Sequence, residues 1–365
     1  MIIEQTIPLI KPYLGKNART YVDECFDSHW ISSRGHFIPD FESAFANFAG
    51  TKHAVAVSNG TVALHLALIA LGIGSGDEVI VPDLTFAATV NSVLHAGAVP
   101  VIVDVEPHSW NICPDRIREA ITPRTKAIIP VHLYGYPCNM EAIMDISREF
   151  GLKVIEDAAE AHGAEFGGKR VGGFGDVGTF SFYGNKIITT GEGGMCVTND
   201  SNVYDRMQLL RDHGMNRTDR YKYDVVGYNY RMTNPQAALG LAQIEEIDSI
   251  LAARETIEQW YTDRLREYAG VTLRDPTAEY KSVNWLFTCL TRNRDALISR
   301  LAENGIETRP MFFPLHTMDI YKKYAPKECA ISIGLSSRGI SLPTYFGMPH
   351  SFVERITHII GSEKF

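Results

Sequence analysis

The chain has 365 residues, 45% of them hydrophobic and 21% charged, and a formal net charge of −8. That length can bury a sizeable core and divide into a larger and a smaller domain, while the negative balance argues against nucleic acid as a partner and requires local positive groups to meet an anionic ligand. The six cysteines are scattered, with no C-x-x-C pair and no histidine cluster at ligand spacing, which speaks against a metal site and for reduced thiols in the cytoplasm.

No apolar run reaches membrane-spanning length, and the first eight residues lack the charged and apolar regions of a targeting signal. Residues 12–48 read as two helices around the loop Trp30-Ile-Ser-Ser-Arg-Gly35. Its indole, hydroxyls and guanidinium suit a phosphorylated or sugar ligand, with a core-plugging Trp30 as the plainer alternative. Residues 55–71 form a strand, a Ser-Asn-Gly-Thr turn and a helix that is apolar nearly all round. Such a helix is buried, and its first amides, near Gly60 and Thr61, make an anion site that a phosphate would fit. Simple capping by Ser58 or Asn59 is the other option.

Residues 78–82, 99–104, 127–131 and 154–157 are near-continuous apolar runs, separated by helical stretches at 87–95, 115–121 and 140–150. This is the pattern of parallel strands covered on both faces, a doubly wound α/β core. No G-x-G-x-x-G opens the first unit, which disfavours a nicotinamide site. Phe86 follows a strand end, where an aromatic ring could lie flat on a cofactor, although a phenylalanine at a helix start is more often core. Asp157 ends the strand at 153–157, and in parallel sheets ligands meet that end. There a carboxylate could keep a pyridine nitrogen protonated and make the ring an electron sink. The attraction at about 4 Å and an effective dielectric near 20 is about 4 kcal/mol, enough to fix the protonation state. Capping of the next turn is the alternative role for Asp157.

Lys186 follows the apolar run 179–183 and precedes Thr189-Thr-Gly-Glu-Gly-Gly194, where glycines let backbone approach a ligand. Burial lowers an amine's pKa, and a neutral amine condenses with a carbonyl, so the stretch suits a Schiff-base lysine. A phosphate cradle, a pyridinium partner and such a lysine are together the requirements of pyridoxal 5'-phosphate (PLP). Residues 213–231 form a polar loop with Arg217, Arg220, Lys222, Tyr228, Asn229 and Arg231. A helix begins near Pro235 and helical periodicity runs to 266, followed by a strand near 285–290, a helix at 294–304 and a last helix after His350. Between them, residues 309–316 alternate aromatic and polar side chains and end at His316.

On Glu156-Asp-Ala-Ala159, Ser181-Phe182 with Lys186 and Thr190-Gly-Glu-Gly-Gly194, and Gly227-Tyr-Asn-Tyr-Arg-Met232, the chain resembles the nucleotide-sugar aminotransferases of the DegT/DnrJ/EryC1/StrS family, within the fold-type I PLP enzymes. The resemblance runs through almost the whole length. It implies a mostly parallel seven-stranded sheet in a large PLP-binding domain, residues 1–245, and a smaller α+β domain, residues 246–365, on which the N-terminal segment could pack. It implies that Phe86 covers the cofactor ring, that Ser181, Gly60 and Thr61 hold its phosphate, and that Asn229 reaches the neighbouring subunit's phosphate, so that a homodimer shares its active sites. Glu160 stands where many relatives carry glutamine against the cofactor's phenolic oxygen. Trp30, Ser33, Arg34, Tyr183, Arg217, Arg231 and His316 fall at substrate-binding positions, with a buried structural histidine as the alternative role for His316. The implied reaction moves an amino group from L-glutamate, released as 2-oxoglutarate, to the 4-keto carbon of a nucleotide-linked 4-keto-6-deoxy sugar. A GDP-linked mannose derivative is favoured over UDP- or dTDP-linked sugars, and a surface glycan such as O-antigen is the destination. A sugar dehydratase of the same fold would carry histidine at position 186, and a regulator would need no intact cofactor set.

Overall fold

A computed structural model describes residues 6–216, 218–274 and 279–362. Two helices open it, α1 (Ala18–Asp27) and α2 (Phe37–Ala49), the second burying Phe37, Phe41 and Phe45. The exposed turn between them is the Trp30 to Gly35 loop.

The alternating units follow in chain order: β1 (His53–Val57), α3 (Gly60–Ala70), β2 (Glu78–Pro82), α4 (Ala88–His95), β3 (Val99–Val103), α5 (Pro114–Ala120), β4 (Thr125–Ile128), α6 (Met140–Phe150) and β5 (Lys153–Asp157). The short pair β6 (Glu165–Phe166) and β7 (Lys169–Arg170) leads to β8 (Val177–Ser181) and β9 (Gly194–Thr198). Seven strands make one sheet in the order β1-β9-β8-β5-β4-β2-β3. β3, β2, β4, β5 and β8 pair in parallel, whereas β9 is antiparallel to β8 and β1. Every residue of β2, β8 and β9 is buried, which is why these strands read as apolar runs without alternation. α3 packs in the same cluster through Ala63, Leu64, Leu66, Ala67 and Leu68. The fold is therefore the expected α/β architecture, and the carboxyl ends of β2 and β5, with the loop after β8, gather the candidate site.

α7 (Ser201–Arg211), not expected from the sequence, is capped by the Asp200 side chain. The single helical stretch expected from Pro235 divides into α8 (Asn234–Ile244), opened by a Thr233/Gln236 capping box, and α9 (Ile247–Leu265). Beyond it, β10 (Val271–Thr272), β11 (Tyr280–Lys281), β12 (Phe287–Thr291), α10 (Arg294–Glu303), β13 (Arg309–Pro310), α11 (Ala330–Arg338), β14 (Gly339–Leu342) and α12 (His350–Gly361) complete the chain. A second, antiparallel sheet runs β10-β12-β14-β13, and β11 joins β6 and β7 in a third. The two-residue strands β6, β7, β10, β11 and β13 are too short to carry periodicity, so the sequence gives no sign of them, whereas β12 matches the strand expected near 285–290. Ile7 is buried in the core of α9, α10, α12 and the second sheet, and it exchanges hydrogen bonds with Gly305 and Glu307.

Candidate active site

Asp157 closes β5 and is 5% exposed. Its Oδ2 accepts from Thr89 Oγ1 at 2.8 Å and its Oδ1 from the Ala159 N–H at 3.2 Å. Burial raises its pKa, opposed by these bonds and by the positive charge of Lys186. Three residues on, Glu160 is equally buried. Its Oε2 accepts the Tyr134 N–H at 2.8 Å, and its Oε1 lies 3.5 Å from Lys186 Nζ. Desolvation pushes this carboxyl up as well, while Lys186 pulls it back.

Lys186 lies on the loop between β8 and β9, in a turn closed by its N–H on Tyr183 O at 2.9 Å. Its side chain is 11% exposed. The amine lies over the Trp285 ring, 3.8 Å from its centroid.

The turn after β1 abuts the end of β8. A Cβ built on Gly60 would stand 2.8 Å from Ser181 Cβ and 3.1 Å from its Oγ, and one on Gly194 would stand 2.5 Å from Asn59 O. Glycine at both positions therefore lets the first turn of α3 lie against the Ser181 hydroxyl. Asn59 does cap this helix, accepting from Val62 N–H at 3.0 Å. Capping and anion binding are compatible, because one side-chain oxygen satisfies one of the four unpaired amides at a helix start. The amides of Gly60 and Thr61, the Ser181 hydroxyl, a buried acid at a strand end and a largely sheltered lysine amine thus fit the phosphate, ring nitrogen and aldehyde of PLP.

The remaining residues singled out from sequence divide between two places. Phe86 is 60% exposed, with its ring 6.0 Å from that of Phe312, and Trp30 is 52% exposed, so neither takes the core position weighed as an alternative. Tyr183 is also exposed. Ser33, Arg34 and Arg231 line a cavity of about 470 Å³ together with Arg211, Asn216 and Arg220. This cavity has none of the residues around Lys186 in its lining. Arg231 is paired with Asp212 at 2.7 Å, and Asn229 is exposed, with its Oδ1 accepting from Arg231 Nε at 3.1 Å. Arg217 lies outside the described residues.

His316 is fixed to the residue after β2: its N–H and Nδ1 each lie 2.7 Å from an oxygen of Asp83. Potential ligand atoms of Asp83, His316 and Cys329 all fall within 4.8 Å of one another. Spacing in the sequence could not reveal that grouping. Burial drives the Cys329 thiol up.

Sequence reasoning missed Thr89, Tyr134 and Trp285. They reach Asp157, Glu160 and Lys186 from 68, 26 and 99 residues away, and no local pattern marks them.

The profile of the DegT/DnrJ/EryC1/StrS aminotransferase family matches residues 12–361. The chain is 49% identical to the GDP-perosamine synthase of Caulobacter vibrioides over 356 residues, 96% of each protein. It is 47% identical to the GDP-perosamine synthase of Escherichia coli O157:H7 over 343 residues, 93% of each. Among solved structures, DesV of S. venezuelae in complex with a ketimine intermediate superposes with a TM-score of 0.93 at 34% identity, covering 98% of both chains.

Proposed function

The chain belongs to the DegT/DnrJ/EryC1/StrS aminotransferase family, and from that premise we propose that it transfers an amino group from L-glutamate to the 4-keto carbon of GDP-4-keto-6-deoxy-D-mannose, forming GDP-perosamine. It is a PLP-dependent nucleotide-sugar aminotransferase. The observation that carries the proposal is the sheltered Lys186 amine beside two buried carboxyls, in a chain so close to two GDP-perosamine synthases.

PLP, when bound, supplies an electron sink for the charge that develops on the donor's α carbon. The chain's own residues do the rest. Gly60 and Thr61 amides and the Ser181 hydroxyl bind the phosphate. Asp157, ionised, holds positive charge at the ring nitrogen, and Phe86 covers the ring. Lys186 Nζ takes the α-proton of L-glutamate in the first half-reaction and returns a proton to C4 of the sugar in the second. Trp30, Ser33, Arg34, Tyr183, Arg217, Arg231 and His316 contact the sugar nucleotide.

The arginine-lined cavity shares no lining residue with the Lys186 cluster of the same chain. The chain works as a homodimer in this reading, with Asn229 completing the partner's phosphate site. No helix among the described residues is long and apolar enough to cross a membrane, in keeping with a cytoplasmic enzyme that feeds O-antigen or another surface glycan. The test is glutamate-dependent amination of GDP-, UDP- and dTDP-linked 4-keto-6-deoxy sugars. Turnover is expected with the GDP-linked mannose derivative, and preference for another nucleotide would overturn the substrate assignment.

A further inference from the structure

Lys186 Nζ lies beside two groups that a single residue controls. Glu160 Oε1 is 3.5 Å from it and the centroid of the Trp285 ring 3.8 Å. Tyr134 gives its N–H to Glu160 at 2.8 Å, accepts the Trp285 N–H on its carbonyl at 3.1 Å, and stacks on the indole at 6.1 Å and 16°. Trp285 precedes β12 of the second sheet, yet its Nε1 donates to Asn185 O at 2.6 Å, the residue before the lysine. The indole is thereby held in register with the lysine's own backbone.

The supporting shell is built for this placement. Buried Arg254 donates from Nη1 to the carbonyls of Asn284 and Trp285, at 3.0 and 3.1 Å. Tyr134 adopts φ 55, a left-handed conformation that a bulky residue holds only when its surroundings enforce it, while Asn284, at φ 40, is of a type that enters this region readily.

We propose that the Trp285 face and the Glu160 carboxylate form a berth for the Lys186 amine whenever it is not bonded to the cofactor, with Tyr134 setting the berth's width. The proposal rests on the reading of Lys186 as the cofactor lysine. A lysine released in each half-reaction has a long, freely rotating stem. An indole face attracts its ammonium more strongly than any other ring, and the nearby carboxylate limits its swing. Nζ then stays within reach of the carbon whose proton it moves. Trp285 acts through Lys186 and is a positioning residue.

The test uses the full-length, cofactor-free protein and a water-soluble acetylating ester, with modification of Lys186 followed by peptide mass. Trp285→Leu is expected to raise the Lys186 acetylation rate about fivefold while other lysines keep theirs, and Trp285→Phe, which keeps a ring face, to stay within about twofold of wild type. In the reconstituted enzyme, Trp285→Leu is expected to slow the glutamate half-reaction and raise its isotope effect with α-deuterated L-glutamate, with KM little changed. Trp285→Met, which fills the same space with a flexible chain, replaces leucine if that variant does not fold. Wild-type labelling of Lys186 in the leucine or methionine variant overturns the berth, as does a uniform rise at all lysines. A wild-type protein that binds PLP without using Lys186 overturns instead the reading on which it rests.

Discussion

Thr89 Oγ1 donates a 2.8 Å hydrogen bond to Asp157 Oδ2, tying the first turn of α4 to the end of β5. Because burial raises the Asp157 pKa, this donor, the Ala159 amide and the positive charge of Lys186 are among the groups that favour the ionised form before any cofactor arrives. Thr89→Val removes one of them while keeping the shape of the side chain. The expected result is about tenfold weaker PLP binding, the scale of one buried hydrogen bond to a charged group, read by absorbance titration. Asp157→Asn removes the charge itself. A fall of about three orders of magnitude in the glutamate half-reaction is expected, from an electrostatic contribution of about 4 kcal/mol. A wild-type rate in that variant would remove Asp157 from the ring-nitrogen role.

Lys186→Ala is expected to abolish both the yellow colour of the purified protein and the cofactor mass that borohydride fixes to the peptide carrying residue 186. Folding should survive, since Glu160 is left with the Tyr134 amide and a pKa already raised by burial, so it can take a proton rather than remain an unpaired buried charge. Circular dichroism separates the two outcomes. Borohydride-fixed cofactor on another lysine would show that the chemistry lies elsewhere.

The parts of this architecture visible in the sequence are those encoded locally. Strands β2, β4 and β5 declare themselves as short apolar runs, and the close approach at Gly60 and Ser181 shows as glycine and hydroxyl residues in a turn and a strand. Asp157 stands out because it ends a buried strand. What stayed hidden is built from distant pairs. Trp285 meets Lys186 through the packing of two different sheets, and Tyr134 holds its position through a left-handed backbone angle that no side-chain pattern announces. The Asp83–His316 contact is hidden for the same reason, being a pairing across 233 residues. Phe86 and Trp30 could be read either way because an aromatic residue near a helix end is equally at home in a core or a binding surface, and only their exposure distinguishes the two.

If Asn229 completes the phosphate site of a second chain, neither Lys186→Ala nor Asn229→Ala homodimers should be fully active, yet their mixture should recover. In a hybrid dimer one site carries both substitutions and the other carries none. Unfolding and refolding an equimolar mixture is expected to give activity well above either parent, approaching about a quarter of wild type once half of the dimers are hybrids. Activity no greater than the mean of the two parents would argue that each chain works alone. The exposed position of Asn229, bonded only to Arg231 in the described contacts of its side chain, makes the substitution mild for the fold.

Glu258 on α9 offers a test of pH dependence away from the chemistry. Burial raises its pKa from 4.5 to about 7, with Glu255 adding to the rise and Asn284 and Arg274 opposing it. In the folded chain this carboxyl therefore keeps its proton over a range in which the unfolded chain releases it. The stabilising contribution is fully present below pH 4.5, where both states are protonated, and is lost as pH rises through about 7. Glu258→Gln copies the protonated form at every pH. It should match wild type at pH 5 within about 0.8 kcal/mol and exceed it at pH 8 by about 1–3 kcal/mol, the upper end corresponding to the whole shift and the lower to partial solvent screening. Thermal unfolding at constant saturating PLP should show the variant's midpoint about 1–4 °C higher at pH 8. Equal offsets at the two pH values would mean that the glutamate titrates as it does in water, and that the cavity beside Arg274 is wetter than its lining implies.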